Sequence, residues 1–339
     1  MEKEKLVGAT DMGEEILLDD GSAPNGGYKA PKVLTRKVKR NIFFYSTIAI
    51  FIINVLVWYV YVNLSNFALA FQEFFIVNNT DIGSKFAGLQ NFKYVLSLFE
   101  VPENRYMITT SFMMYGYHIF VGSILALLLS YYIYKKLFLG QFFRVILFMP
   151  SIISGVVMVT LYKYMVNNMY MELFNAEAGL LKGDVETATV VCIVYNLWMG
   201  YGSDVLLYTG AMSGINDSTV EAAALDGCTT MQEFIYITLP MIFPTLITFI
   251  VVGISNIFTN QMNLYTFFGT SSRVVSVGYF MYVRNLTSPG LVADRMAQLN
   301  SGKMCYPELA AMGLMVTAVT LPVVVTIRWL LNKYGPSAD

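Results

Sequence analysis

The sequence predicts an all-α integral membrane protein with six transmembrane helices and both termini in the cytoplasm. Composition carries the class: 56% of the 339 residues are hydrophobic and only 13% are charged, whereas a soluble domain has about a quarter charged. Length carries the number of crossings. About 20 apolar residues span a bilayer, and six runs meet or approach that length, at 42–64, 107–134, 143–166, 188–212, 241–267 and 309–331. Charge sets the orientation. Lys29, Lys32, Arg36, Lys37, Lys39 and Arg40 crowd the entrance to the first run, which by the positive-inside rule holds the amino terminus in the cytoplasm.

Taken in order, residues 1–40 are expected to form a mobile cytoplasmic tail with a basic anchor, because the stretch has too few large apolar side chains to bury a core. Its polarity, and the length of the first apolar run, argue against a cleavable signal peptide. Residues 41–334 read as one membrane domain without a strong internal repeat, and 335–339 as a second cytoplasmic tail. With this topology, 13 of the 22 Lys and Arg lie inside and nine lie in the longer outside segments, the correct bias.

Within the membrane domain, Phe86-Ala87-Gly88-Leu89-Gln90-Asn91-Phe92 lies between the first two runs, where it reads as an interfacial turn with aromatic anchors. Met149-Pro150 opens the middle of the third run and predicts a kink, since proline removes one hydrogen bond of the ladder. The fourth run holds Asp204, the one clear intramembrane acid, near Gly200, Gly202 and Ser203, a setting for a broken turn or a water-facing carboxylate. In the fifth, Asn256, Thr259, Asn260 and Asn263 recur at spacings of three and four, which collects them on one helical face. Lipid would penalise that face, so it points into the bundle or a water-lined path. Asn256, Asn260 and Asn263, with Tyr195 and Asn196 of the fourth run, are candidates for a substrate path; hydrogen bonding between helices explains the same pattern equally well. Residues 270–307 form an external loop long enough for short interfacial helices.

Between the fourth and fifth runs lies a polar island at 216–240 that contains no Lys or Arg from Asn216 to Thr238. Ser218 and Glu221 stand in the relation of a capping box, so a helix of about two turns is expected from Thr219, closed by Gly227 in a left-handed cap. Thr230 and Glu233 repeat the pattern, and a second helix is expected from Met231 until Pro240 and Pro244 disturb it. A cytoplasmic loop without anchoring cations suits docking to a protein.

Chemistry is sparse. The only Gly-Lys pair, Gly302-Lys303, has Ala297 where a phosphate-binding loop needs its first glycine and Met304 after the lysine, so ATP is not expected to bind this chain. Cys192, Cys228 and Cys305 form no C-x-x-C pair and read as packing residues. The single histidine, His118, excludes a His-rich metal site and a catalytic triad, and reads as a satisfied interhelical residue. A net charge of -1 gives no support for nucleic acid.

Glu221-Ala222-Ala223, three residues, Gly227, nine residues and Ile237-Thr238-Leu239-Pro240 closely resemble the cytoplasmic loop of binding-protein-dependent ABC importer permeases, of the sugar and oligosaccharide type. Trp198, the run from Tyr208 to Ile215, and the segment Gly88-Leu89-Gln90-Asn91-Phe92 extend the likeness; Cys228, where Ala is usual, and Asn216, where Pro is common, depart from it. The resemblance implies a multi-pass protein of the bacterial plasma membrane that is not an enzyme. It implies docking of two ATP-binding subunits through Glu221, Ala222, Ala223, Asp226 and Gly227, with ATP and Mg on those subunits and no cofactor on this chain. A second homologous permease, an extracytoplasmic solute-binding protein and a sugar or oligosaccharide complete the implied partners beside membrane lipid. The competing expectations are an ion-coupled secondary carrier, which the scarcity of intramembrane acids disfavours, and an importer of a non-sugar solute.

Overall fold

The structure, a computed structural model, describes residues 36–77, 81–287 and 305–336. Most of the amino-terminal tail, the distal half of the external loop and the last three residues lie outside the described residues. The chain divides into two units, Met1–Tyr59 and Val60–Asp339. In the first, residues 36–59 are helical and expose large apolar side chains such as Phe43, Ile50 and Trp58.

Four helices are long and apolar enough to cross a membrane: α1 (Lys37–Ala70), α3 (Asn104–Tyr134), α6 (Val185–Met212) and α12 (Tyr306–Tyr334). Two further candidates are broken. Helices α4 (Gly140–Ile152) and α5 (Gly155–Phe174) meet at 102°, and α8 (Thr230–Met241) and α9 (Phe243–Asn256) at 68°. Counting each bent pair as one span gives up to six. The third run was expected to kink at Pro150, yet Pro150 is enclosed within α4 and the chain turns at Ile153 and Ser154, where the backbone leaves the helical conformation. In the fifth, a π-helical turn at Phe234–Thr238 takes up the irregularity before Pro240, and Pro244 sits in the first turn of α9, where it forfeits no ladder bond.

The strands between the first two long helices were not foreseen. Strands β1 (Gln72–Val77) and β2 (Asp81–Phe86) form an antiparallel hairpin that pairs Gln72 with Phe86 and Val77 with Asp81. Helix α2 (Gln90–Leu98) follows, and the segment at 86–92 is more than an aromatic turn. Gly88 takes positive φ, and buried Asn91 donates to the carbonyls of Ala70 at 2.8 Å and Gln72 at 2.7 Å, fastening the end of α1 to the hairpin. Helices α7 (Asp217–Leu225), α10 (Leu264–Phe268) and α11 (Val277–Thr287) complete the set.

Packing concentrates in three nodes. One joins α3, α5, α6 and α10 through Tyr115, Tyr162, Tyr195, Leu264 and Phe267. A second joins α3, α6, α8 and α9 through Ala126, Val205, Tyr208, Phe234 and Leu246. The third gathers Ala70, Val95, Met107, Val277 and Met312 from α1, α2, α3, α11 and α12. Along α3 and α6 the first two nodes are separated by a polar interval, and the cavity described below occupies it.

Helix α6 is unbroken, so Asp204 caps no broken turn. Gly202 instead lets α4 approach, because a Cβ there would run into the Leu147 carbonyl. The expected asparagine face is also interrupted. Helix α9 ends at Asn256, and Met262 and Asn263 adopt left-handed backbone, so these residues lie along a turn rather than on one helical stripe.

Candidate functional site

Helix α7 begins two residues earlier than the Ser218 box implied. Asn216 is its N-cap, its side chain accepting from the Ser218 amide at 3.2 Å, so Asn216 supplies an acceptor for an otherwise orphaned N–H. At the other end the Cys228 amide donates to the Ala223 carbonyl and the Gly227 amide to the Ala224 carbonyl, at 3.0 and 3.2 Å. These are the paired bonds of a Schellman cap, with Gly227 at φ +78° supplying the left-handed residue. The capping box expected of Thr230 and Glu233 is displaced by one residue, to Thr229 and Gln232. Glu233 is thereby released for another contact.

Burial separates the two faces of α7. Ala223 turns inward, and Val220 packs on the node beneath it. Asp217, Glu221 and Leu225, spaced by four, are exposed together, and Ala222, Asp226 and Gly227 lie open beside them. Leu225 is 89% exposed. A short helix with satisfied ends, a slim alanine flank, two carboxylates and one protruding leucine can fit a groove that offers basic groups and an apolar pocket.

The loop is tied to the bundle by side chains at the end of α3 and just beyond it. The Lys135 Nζ lies 2.6 Å from Glu233 Oε2, and the Tyr131 hydroxyl donates to the Thr230 carbonyl at 2.9 Å. The Tyr131 and Phe234 rings lie 4.7 Å apart. The Glu233 side chain is only 8% exposed and that of Lys135 23%, so this is a largely desolvated pair and not a rim contact.

Between the two packing nodes lies a cavity of about 290 Å³. Tyr115, His118 and Ser123 of α3, Asp204 of α6, and Asn256 and Asn260 line its polar side. His118 opens a π-helical turn, His118–Gly122. Its Nε2 lies 3.9 Å from Asp204 Oδ2, too long for a hydrogen bond, and its buried Nδ1 has no hydrogen-bond partner among the described residues. His118 is therefore not the satisfied residue expected.

Of the five path candidates, Asn256 and Asn260 reach the cavity. Asn196 and Asn263 bind each other: Asn263 Nδ2 donates to Asn196 Oδ1 at 2.9 Å, and Asn196 Nδ2 donates to the carbonyls of Met262 and Cys192. Tyr195 is fully buried against Phe267, with ring centroids 5.0 Å apart. These three hold α6 to the turn after α9.

Residues 118–337 match the family model described as the binding-protein-dependent transport system inner membrane component. The chain belongs to this family. Like this permease, the probable ABC transporter permease protein YurN of Bacillus subtilis is a relative, 27% identical over 69% of this chain and 83% of its own length. The maltose/maltodextrin transport system permease protein MalF of Salmonella typhimurium is 29% identical over 41% of this chain, and the match spans 28% of that protein. The galactooligosaccharides transport system permease protein GanP of Bacillus subtilis is 28% identical over 40% of this chain and 34% of its own. Among solved structures, a chain of a bacterial ABC transporter involved in the import of the acidic polysaccharide alginate superposes with a TM-score of 0.67 at 20% identity, covering 88% of this chain and 98% of that one.

Sequence reasoning missed Leu225, Lys135 and Glu233 in this permease. Leu225 sits inside the motif at a position the pattern leaves unspecified, and Lys135 enters only as one of the 13 inside cations. The displaced capping box was the available signal: a threonine at 229 with glutamine at 232 satisfies the same pattern and leaves Glu233 without a local role.

Proposed function

We propose that this permease is one membrane-spanning subunit of an ATP-driven importer that passes a sugar or oligosaccharide delivered by an extracytoplasmic binding protein. It crosses the membrane six times with both termini inside, beside a second homologous permease. Separate subunits bind Mg and ATP and dock on α7 through Glu221, Ala222, Asp226, Gly227 and the protruding Leu225, while Ala223 seats the helix on the bundle. The sugar reading is supported by the names of MalF and GanP, and delivery by a binding protein by the related alginate transporter solved in complex with its oligosaccharide-bound periplasmic protein.

The observation that carries the reading is α7 itself: capped at both ends, exposed on its acidic face, and followed by α8, which the Lys135–Glu233 pair joins to the end of α3. In operation, closure of the ATPase subunits displaces α7. The Schellman cap keeps α7 and α8 in fixed relation, the ion pair passes the displacement to α3, and the cavity alternates its access. Each state must contact the ATPases differently, since equal affinity for both shifts nothing.

Purifying the tagged permease from its own host tests this. ATPase chains should co-purify with the wild type and be lost with Glu221→Lys, and solute uptake should fall with them at unchanged membrane levels. Uptake that survives Glu221→Lys, or that collapses with a protonophore while ATP is maintained, would sink the proposal in favour of an ion-coupled carrier.

A further inference from the structure

Asp204 stands in the middle of the polar interval of α6, its side chain 23% exposed. It makes no hydrogen bond among the described residues, and its neighbour of opposite potential charge is His118 at 3.9 Å. A carboxylate at membrane depth is costly, and such residues face cavities or partners where they serve function. Here the surroundings are shaped to keep it open. The α3 ladder loosens into a π-helical turn at His118, a distortion associated with functional sites. Gly200 makes room for the imidazole, since a Cβ there would come 2.8 Å from His118 Cε1. Ser123, Asn256 and Asn260 supply neutral donors and acceptors, and among the described residues no Lys or Arg lines the cavity.

We infer that Asp204 is a specificity-determining residue that accepts hydrogen bonds from hydroxyls of an uncharged sugar and rejects sugars bearing carboxylates, with His118 as its positioning partner. The inference rests on the sugar-importer reading above and narrows its substrate class. Two adjacent hydroxyls can donate to the two oxygens of one carboxylate, and such charge-assisted bonds are roughly twice as strong as neutral ones. Asn256 and Asn260 can both donate to and accept from further hydroxyls. A uronate would instead bring a second carboxylate beside Asp204, with one imidazole to offset two negative charges in a poorly solvated space. The fold shared with an alginate importer therefore does not extend to an acidic substrate.

The test uses the native host with its own copy of the gene replaced in place by wild type, Asp204→Asn, Asp204→Glu, His118→Gln or Glu221→Lys. Uptake of radiolabelled maltotriose, cellotriose, a galactotriose and trigalacturonate is measured beside permease abundance in the membrane. Gene-dependent uptake of at least one neutral trisaccharide and none of trigalacturonate is expected. Asp204→Asn should lower neutral uptake at least tenfold at unchanged abundance, and Asp204→Glu should restore part of it. His118→Gln should weaken apparent affinity more than maximal rate. Gene-dependent uptake of trigalacturonate overturns the assignment, as does neutral uptake by Asp204→Asn within twofold of wild type, or an equal fall in abundance and uptake. Full uptake in the Glu221→Lys strain, or no gene-dependent uptake of any probe, overturns the underlying importer reading instead and this inference with it.

Discussion

Lys135 and Glu233, 98 residues apart in sequence, form the contact that fastens the base of the α7 loop to the end of α3. Desolvating two charges is expensive, and attraction offsets the cost only when geometry is close. At 2.6 Å it is close, and the Lys135 ammonium also lies 5.9 Å from the Tyr131 ring centroid. The pair makes a rigid joint where a loop reached only through backbone would flex.

Removing both partners should cost less than the two single removals added together. Glu233→Gln or Lys135→Met alone leaves a poorly solvated charge and is expected to cost about 3 kcal/mol. The double variant should be less damaged than the sum, with a coupling of roughly 1 to 3 kcal/mol. Thermal unfolding of the purified assembly gives the cycle; strict additivity would mean that the two charges do not interact.

Gly227→Ala should weaken the end of α7 without disturbing insertion. No heavy atom lies within 4 Å of an added Cβ, so the cost is that of left-handed backbone, about 1 to 2 kcal/mol. Gly227→Pro also removes the amide that bonds Ala224 and forces φ near the wrong sign, and it should abolish ATPase association while the membrane level stays constant. Association that withstands the proline variant would separate the cap from docking.

Two glycines of α6 should respond oppositely. Gly202→Ala drives a methyl group into the Leu147 carbonyl, backbone that cannot step aside, whereas Gly210→Ala meets open space. Membrane abundance and protease resistance should fall for the first. The second should be neutral or gain up to about 1 kcal/mol from helix propensity. Equal behaviour would place α4 farther from α6 than described.

Asn196→Leu and Asn260→Leu distinguish glue from path. Asn196 donates to Cys192 of its own helix and to Met262 and accepts from Asn263; the last two bonds reach from α6 to the turn after α9, at about 0.6 kcal/mol each for bonds between membrane helices, so assembly and uptake should decline in parallel. Asn260 supports the Met262 amide at 2.8 Å but also lines the cavity. Its replacement should depress uptake well beyond assembly, as read from transport per unit of inserted permease. Parallel decline for both would assign the two asparagines to packing.

Much of the fold was legible because the bilayer imposes a length and an apolar composition that single runs report directly. The runs at 42–64, 107–134, 188–212 and 309–331 all fall inside continuous helices. The breaks were less legible. Pro150 and Pro240 announce local disturbance, but whether a helix bends at the proline or several residues later depends on what packs around it. The hairpin at 72–86 escaped notice because its alternation of apolar residues is brief and its neighbour in sequence is a membrane run.

Sequence alone determined the membrane class, the loop motif with its glycine cap, and the absence of a phosphate-binding loop, since each depends on composition or on residues near one another in the chain. Only tertiary structure decided which asparagines face a cavity, that His118 meets Asp204, and that Lys135 holds Glu233. Those pairings join helices 86 and 98 residues apart, and a helical period states that a face is polar without stating which partner rotates to meet it.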